Sequence, residues 1–140
     1  MKKRVLILCT GNSARSQMAE ALLRHDRGSE FDVESAGTKP SIVRPEAIQV
    51  MHEIGIDISG RRSKHLDEFA GQHFDYVLTL CQDANESCPI FPGATKRIHR
   101  SVEDPPPQSV GSELERLAIF RRVRDQIRDY LESFPERKSA

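Results

Sequence analysis

Net charge is the first thing this chain lacks. Lys plus Arg and Asp plus Glu both total 21 in 140 residues, so no overall field draws it to nucleic acid or to an anionic membrane surface. No apolar run approaches the roughly 20 residues that span a bilayer. The start, Met1-Lys2-Lys3-Arg4-Val5-Leu6-Ile7-Leu8-Cys9, has a basic head but too short an apolar stretch for a secretory signal. A cytoplasmic location is therefore expected. Cysteine is scarce as well, with three in the chain. In a reducing compartment such thiols read as catalytic, metal-binding or inert rather than as a static framework. Repeats, low-complexity tracts and linkers are absent, and the length suits one domain, residues 1–140, able to bury a proper core. The tail Arg137-Lys138-Ser139-Ala140 is expected to fray.

What is present is an alternation of strands and helices. Arg4–Cys9 is an unbroken β-branched and leucine run, as a buried strand requires. Ser16–Arg27 carries Met18, Ala19, Leu22 and Leu23 at helical spacing before Gly28. Phe31–Ser35 reads as a second strand broken by Ala36-Gly37. Pro45 opens a helix with Ala47, Ile48, Met51 and Ile54 that ends at Gly55. Leu66–Ala70 suits a short helix, Asp75–Leu80 a third strand and Lys96–His99 a weaker fourth. After Pro105-Pro106-Pro107 a long helix runs from Ser112 to Phe134 on the stripe Leu117, Phe120, Val123, Ile127, Tyr130, Leu131 and Phe134. Arg121, Arg122, Arg124 and Arg128 read as its wet face rather than as a nucleic-acid patch. The pattern predicts an α/β three-layer sandwich: a central four-stranded parallel sheet with helices on both faces and sites at the carboxyl ends of strands.

Chemistry concentrates where the first strand ends. Cys9-Thr10-Gly11-Asn12-Ser13-Ala14-Arg15-Ser16 joins a buried strand to a helix. Gly11 and Asn12 tolerate the left-handed angles of a tight anion nest. Backbone N–H groups, the helix N-terminus and the fork of Arg15 suit a tetrahedral oxyanion, and the same field favours thiolate over thiol at Cys9. The loop lacks the Lys-Ser/Thr of nucleotide-binding P-loops. A thiol at its head points instead to covalent chemistry, against the plainer alternative of a buried structural cysteine.

Cys81 lies just past a predicted strand, so it should open on the same sheet edge as Cys9. Cys88 follows seven residues later, roughly 10 Å of helical rise, whereas disulfide α-carbons lie about 4.4–6.8 Å apart. If the two thiols pair, the segment must unwind, which makes it a candidate redox switch. Zinc binding with His99, or two unrelated buried cysteines, are the alternatives. Asp104 in Glu103-Asp104-Pro105 is by itself a turn residue before proline.

The Cys9-x5-Arg15 signature, Ser16-Gln17-Met18-Ala19-Glu20, Ser35-Ala36-Gly37-Thr38, Asp104-Pro105 and the Cys81-x6-Cys88-Pro89 segment together resemble the low-molecular-weight tyrosine phosphatase superfamily. Within it the chain is most similar to the thioredoxin-coupled arsenate reductases of arsenic detoxification, over nearly its whole length. The resemblance implies an oxyanion-binding loop of Thr10, Gly11, Asn12, Ser13, Ala14, Arg15 and Ser16 for arsenate, phosphate or sulfate. It implies Cys9 as nucleophile and Asp104, rather than Glu103, as general acid. It also implies a redox-active relay in which Cys81 attacks Cys9 and Cys88 then attacks Cys81. Asn12, Ser16, Glu20 and Ser35 are the implied supporting residues. In some relatives Glu20 and Ser35 help bind a monovalent cation, where Lys64 here brings a charge of its own. No metal or organic cofactor is expected, and electrons would come from thioredoxin to a monomer. The aromatics that grip phosphotyrosine after Asp-Pro are missing from Pro106-Pro107-Gln108. A phosphomonoesterase, and a non-catalytic anion-binding or redox-sensing module, are the rival functions.

Overall fold

The computed structural model describes residues 2–81 and 90–136. The expectations for Cys88 and for the 137–140 tail lie outside the described residues. In chain order the elements are β1 (Lys3–Cys9), α1 (Arg15–Arg27), β2 (Phe31–Gly37), α2 (Pro45–His52), a 3-10 turn (Leu66–Phe69), β3 (Phe74–Thr79), β4 (Ala94–His99) and α3 (Glu113–Leu131). The four strands form one parallel sheet in the order β2-β1-β3-β4.

β1 is central, and Val5 to Leu8 are fully buried. A strand covered on both faces needs no polar alternation, which is why this run reads as continuous. Alternate residues serve different cores. Val5 and Ile7 join Met18, Leu22, Val50, Met51, Phe120, Val123 and Ile127 in the larger cluster with α1, α2 and α3. Leu6 and Leu8 join Phe69, Phe74, Val77 and Phe91 on the opposite face, where the 3-10 turn sits. The expected α/β fold with a four-stranded parallel sheet is realised, but where the sequence pattern places helices on both faces the three α-helices of the described residues gather on one, with the 3-10 turn on the other.

Three details differ from the sequence pattern. β2 runs through Ala36-Gly37, and Gly37 pairs with Cys9 in register. α2 stops at His52, with Gly55 at φ 82° accepting the reversal and the Ile56 N–H closing on Met51 O at 3.0 Å. α3 ends at Leu131, although Phe134 is still buried, edge-to-face against Phe31, Tyr76 and Tyr130. Burial continued the apolar stripe past the helix because the chain turns there, through Ser133 to Tyr130 O and Phe134 to Leu131 O.

The arginines of α3 are not a bare solvated face. Arg121 and Arg124 pair with Glu53, Arg122 with Glu103 and Arg128 with Asp26. Arg124 is itself buried and donates to Val50 O at 2.7 Å. The Glu53 and Asp26 contacts tie α3 to the ends of α2 and α1, and Glu103 joins it to the segment after β4. Its start is closed by a capping box between Ser112 and Glu115.

Phe74 anchors the smaller core, fully buried, with ring centroids 5.9 Å from Phe69 and 5.7 Å from Phe91. Phe74→Ala should cost about 3–5 kcal/mol in urea denaturation. A loss below about 1 kcal/mol would show that this face contributes little.

Candidate active site

Because β1 lies between β2 and β3, the chain leaves the sheet in opposite directions at their carboxyl ends, and a crevice opens there. Cys9 closes β1, and Arg15 opens α1 five residues beyond the loop's start at Thr10. On the neighbouring strand the Leu80 N–H donates to Leu8 O at 2.9 Å, so Cys81 emerges at the same edge. Cys9 and Cys81 are both buried. Cys81 is disulfide-bonded while Cys9 is a free thiol, so the two are not joined to each other.

The loop turns on Asn12, the one described non-glycine residue with positive φ, at 47°. Its side-chain N–H groups donate to Ser16 Oγ at 2.8 Å and Ser35 Oγ at 2.9 Å. Its Oδ1 accepts from Gln17 Nε2 at 3.0 Å and from the Lys64 N–H at 2.8 Å. Its backbone carbonyl accepts from Ser63 Oγ at 2.7 Å and Gln17 Nε2 at 3.2 Å. Three more loop carbonyls are engaged: Thr10 O by the Lys39 N–H, Ser13 O by the Arg44 N–H and Ala14 O by the Met18 N–H, each at 2.9 Å.

Ser16 Oγ lies 2.9 Å from Cys9 Sγ. Since that oxygen already accepts from Asn12, its hydroxyl hydrogen is available to the sulfur. Ser35 likewise accepts from Asn12 and donates to Glu20 Oε1 at 2.5 Å. Glu20 is buried, and a buried carboxylate needs partners. It finds Arg61, Arg24 at 3.2 Å and Lys64 at 3.6 Å. The ammonium of Lys64 thus stands beside Glu20, and 3.8 Å from Glu34.

Arg15 is buried and reaches two segments. Its Nη1 donates to Leu80 O at 3.2 Å and Val102 O at 3.4 Å, and its Nη2 lies 3.4 Å from Asp104 Oδ1. Asp104 is largely exposed at this contact. Glu103, by contrast, is turned to α3 and forks onto Arg122 at 2.7 Å. His99 hydrogen-bonds Thr79, and among the described residues no three His, Cys, Asp or Glu side chains converge on a metal position. No described helix is long and apolar enough to cross a membrane.

Some parts of this arrangement have no signature in the sequence reading. Ser63 holds the Asn12 carbonyl and Arg61 the Glu20 carboxylate, from side chains that look like ordinary polar positions. Gly37 reads as a strand breaker, yet a Cβ there would sit 2.7 Å from Cys9 O and 3.0 Å from Asn12 N, and closer still to Thr10 O. A glycine at a strand end before a tight loop is the usual signal of such backbone approach.

Comparison with known proteins gives the class this fold and loop define. The family of low molecular weight phosphotyrosine protein phosphatases matches residues 4–138, and the chain belongs to it. Among curated relatives, an arsenate reductase of Halalkalibacterium halodurans is 44% identical over 135 residues, covering 96% of each chain. The arsenate reductase of Bacillus subtilis is 43% identical with the same coverage. Of solved structures, an arsenate reductase in the phosphate-binding state superposes with a TM-score of 0.77 at 33% identity, over 94% of this chain and 95% of that one. A low-molecular-weight protein tyrosine phosphatase from T. tengcongensis gives 0.70 at 25% identity, over 94% and 96%.

Gly37→Ala should displace the loop without unfolding the sheet. Phosphate should then protect Cys9 from alkylation at least tenfold less well than in the parent protein, while circular dichroism is unchanged. Equal protection would show that the loop does not need the close approach at Gly37.

Proposed function

We propose that the protein reduces arsenate to arsenite by a three-thiol relay. The observation that carries this reading is the meeting of Cys9, Arg15, Asp104 and Cys81 at the ends of β1 and β3. A loop with the carbonyls of Thr10, Asn12, Ser13 and Ala14 engaged elsewhere offers its N–H groups to an anion, and Arg15 adds a bidentate fork. The phosphate-binding state of the superposed reductase is in keeping with such an oxyanion site.

In the proposed sequence the Cys9 thiolate, steadied by the Ser16 hydroxyl, attacks arsenic in the anion held by residues 10–16. Asp104 gives its proton to the departing oxygen, which leaves as water. Cys81 then attacks Cys9 sulfur. The sulfur–arsenic bond breaks with its electron pair passing to arsenic, so As(V) becomes As(III) and a Cys9–Cys81 disulfide forms. Cys88 attacks Cys81 and frees Cys9. A disulfide-bonded Cys81 beside a free Cys9 is the combination this exchange leaves behind. An external dithiol of the thioredoxin class returns the last disulfide to thiols.

On this reading the electrons come from thiols alone, and the chain works as a one-domain cytoplasmic monomer. Glu20 keeps the Ser35–Asn12–Ser16 chain ordered, with Lys64 and the two arginines balancing its charge in place of a monovalent cation. The second reading, a phosphomonoesterase using Cys9, Arg15 and Asp104, is favoured by the family's phosphatase members. The lack of aromatics after Asp104-Pro105 weighs against a phosphotyrosine substrate.

The two are separated by cysteine variants. Cys9→Ser should abolish arsenate reduction and any ester hydrolysis. Cys88→Ser should release arsenite once and then stall without thioredoxin-driven turnover, and Cys81→Ser should fail earlier, both keeping whatever ester hydrolysis the parent has. Full thioredoxin-coupled turnover by the Cys81 and Cys88 variants would overturn the relay, and ester hydrolysis with no arsenite release by the parent protein would hand the case to the phosphatase.

A further inference from the structure

The proposed reaction leaves one cluster of buried charge unused. Glu46, in the first turn of α2, is held between two guanidinium groups. Arg44 reaches it through Nη2 at 2.9 Å and Nε at 3.3 Å, and Arg116 of α3 through Nε at 2.9 Å. Burial works against the carboxylate charge. Hydrogen bonds from Arg44, the Glu46 backbone and Arg116 outweigh it and hold the carboxyl below its usual range.

Each arginine also has a second attachment. The Arg44 backbone N–H donates to Ser13 O in the anion loop at 2.9 Å. Its Nη2 also donates to Pro106 O at 3.0 Å, two residues past Asp104. Its guanidinium lies 5.1 Å from the centre of the Phe120 ring, which fixes the plane of the fork. Arg116 donates to Val110 O at 3.2 Å and Gly111 O at 2.8 Å, at the far end of the same segment.

That segment is also met by Arg15, at Val102 O and Asp104, and by the Arg100 N–H on Thr79 O, but its proline run offers few handles. Residues 100–107 have no regular secondary structure, and Pro105, Pro106 and Pro107 have no backbone N–H to donate. They can be tied only through carbonyls and packing, by buried Val102 and Pro105 and by the bond to Pro106 O. The Glu103–Arg122 pair is exposed on both sides and contributes little.

We infer that Arg44 is a positioning residue that sets Asp104 against the Cys9 loop, gripping the loop with its main chain and the Asp104 segment with its side chain, on a base made by Glu46 and Arg116. This rests on the proposed role of Asp104 as general acid. A displaced acid costs rate rather than affinity, because the anion is held by the loop and Arg15.

The test is a double-mutant cycle of Arg44→Ala and Asp104→Asn. It reads single-turnover arsenite release at saturating arsenate, and arsenate affinity from protection of Cys9 against alkylation. Amide hydrogen exchange over residues 101–111 is measured in parallel. Arg44→Ala should slow arsenite release about 10–100-fold with affinity changed less than threefold, and should raise exchange across 101–111, including at the Val110 N–H bonded to Pro107 O. In the Asp104→Asn background it should add no further loss. Arg44→Lys leaves a cation beside Glu46 but lacks the fork that spans Glu46 and Pro106, and it takes the same place in the cycle should the alanine variant not fold. An additive loss in the double variant, or unchanged exchange across 101–111, overturns the inference. If the parent protein releases no arsenite, or Asp104→Asn keeps the full rate, the reading of the reaction fails instead, and the exchange measurement still decides whether Arg44 holds the segment.

Discussion

The left-handed turn at Asn12 is the constraint from which the rest of the site is built. An L-residue pays roughly 1–2 kcal/mol to stand in that region, and this one is held there by bonds to Ser16, Gln17, Ser35, Ser63 and the Lys64 backbone. Those partners come from α1, β2 and the stretch before the 3-10 turn. Three parts of the chain must therefore be in place before the loop can take its shape. Gly37 is a consequence of the same turn: the loop folds back so closely on β2 that no side chain fits.

The hydrogen-bond chain also has a direction. Asn12 can only donate through its amide nitrogen, so both serines accept from it, which leaves the Ser35 hydrogen to Glu20 and the Ser16 hydrogen available to Cys9. An anionic Glu20 fixes the polarity from one end and a thiolate at Cys9 would fix it from the other. Arg24, Arg61 and Lys64 surround the buried Glu20 carboxyl group. In the proposed chemistry this chain readies the sulfur, while Arg15 and Asp104 meet the substrate from the far side of the crevice.

Much of this was legible in the residues themselves. The β1 run, the Cys9–Arg15 spacing and the proline after Asp104 are local patterns, and local patterns survive in a single sequence. Asp104 rather than Glu103 faces Arg15 because Glu103 is taken by Arg122, a partner 19 residues away that spacing does not announce. The same distance hid the roles of Ser63 and Arg44, whose partners lie 51 and 62 residues away. Gly37 reads as the end of a strand because breaking a strand and admitting a loop call for the same residue. The α3 arginines looked solvated because helical spacing reveals a face, while the acids that meet it lie on other elements. Phe134 extended the helix pattern for the opposite reason: its burial is real, but it is reached by a turn.

The relay is tested most directly by counting thiols. The fully reduced protein, freed of reductant and given excess arsenate, should release one arsenite per chain while its titratable thiols fall from three to one, the survivor being Cys9. Arsenite release without loss of thiols, or thiol loss without arsenite, would contradict a mechanism in which this chain's own cysteines supply the electrons.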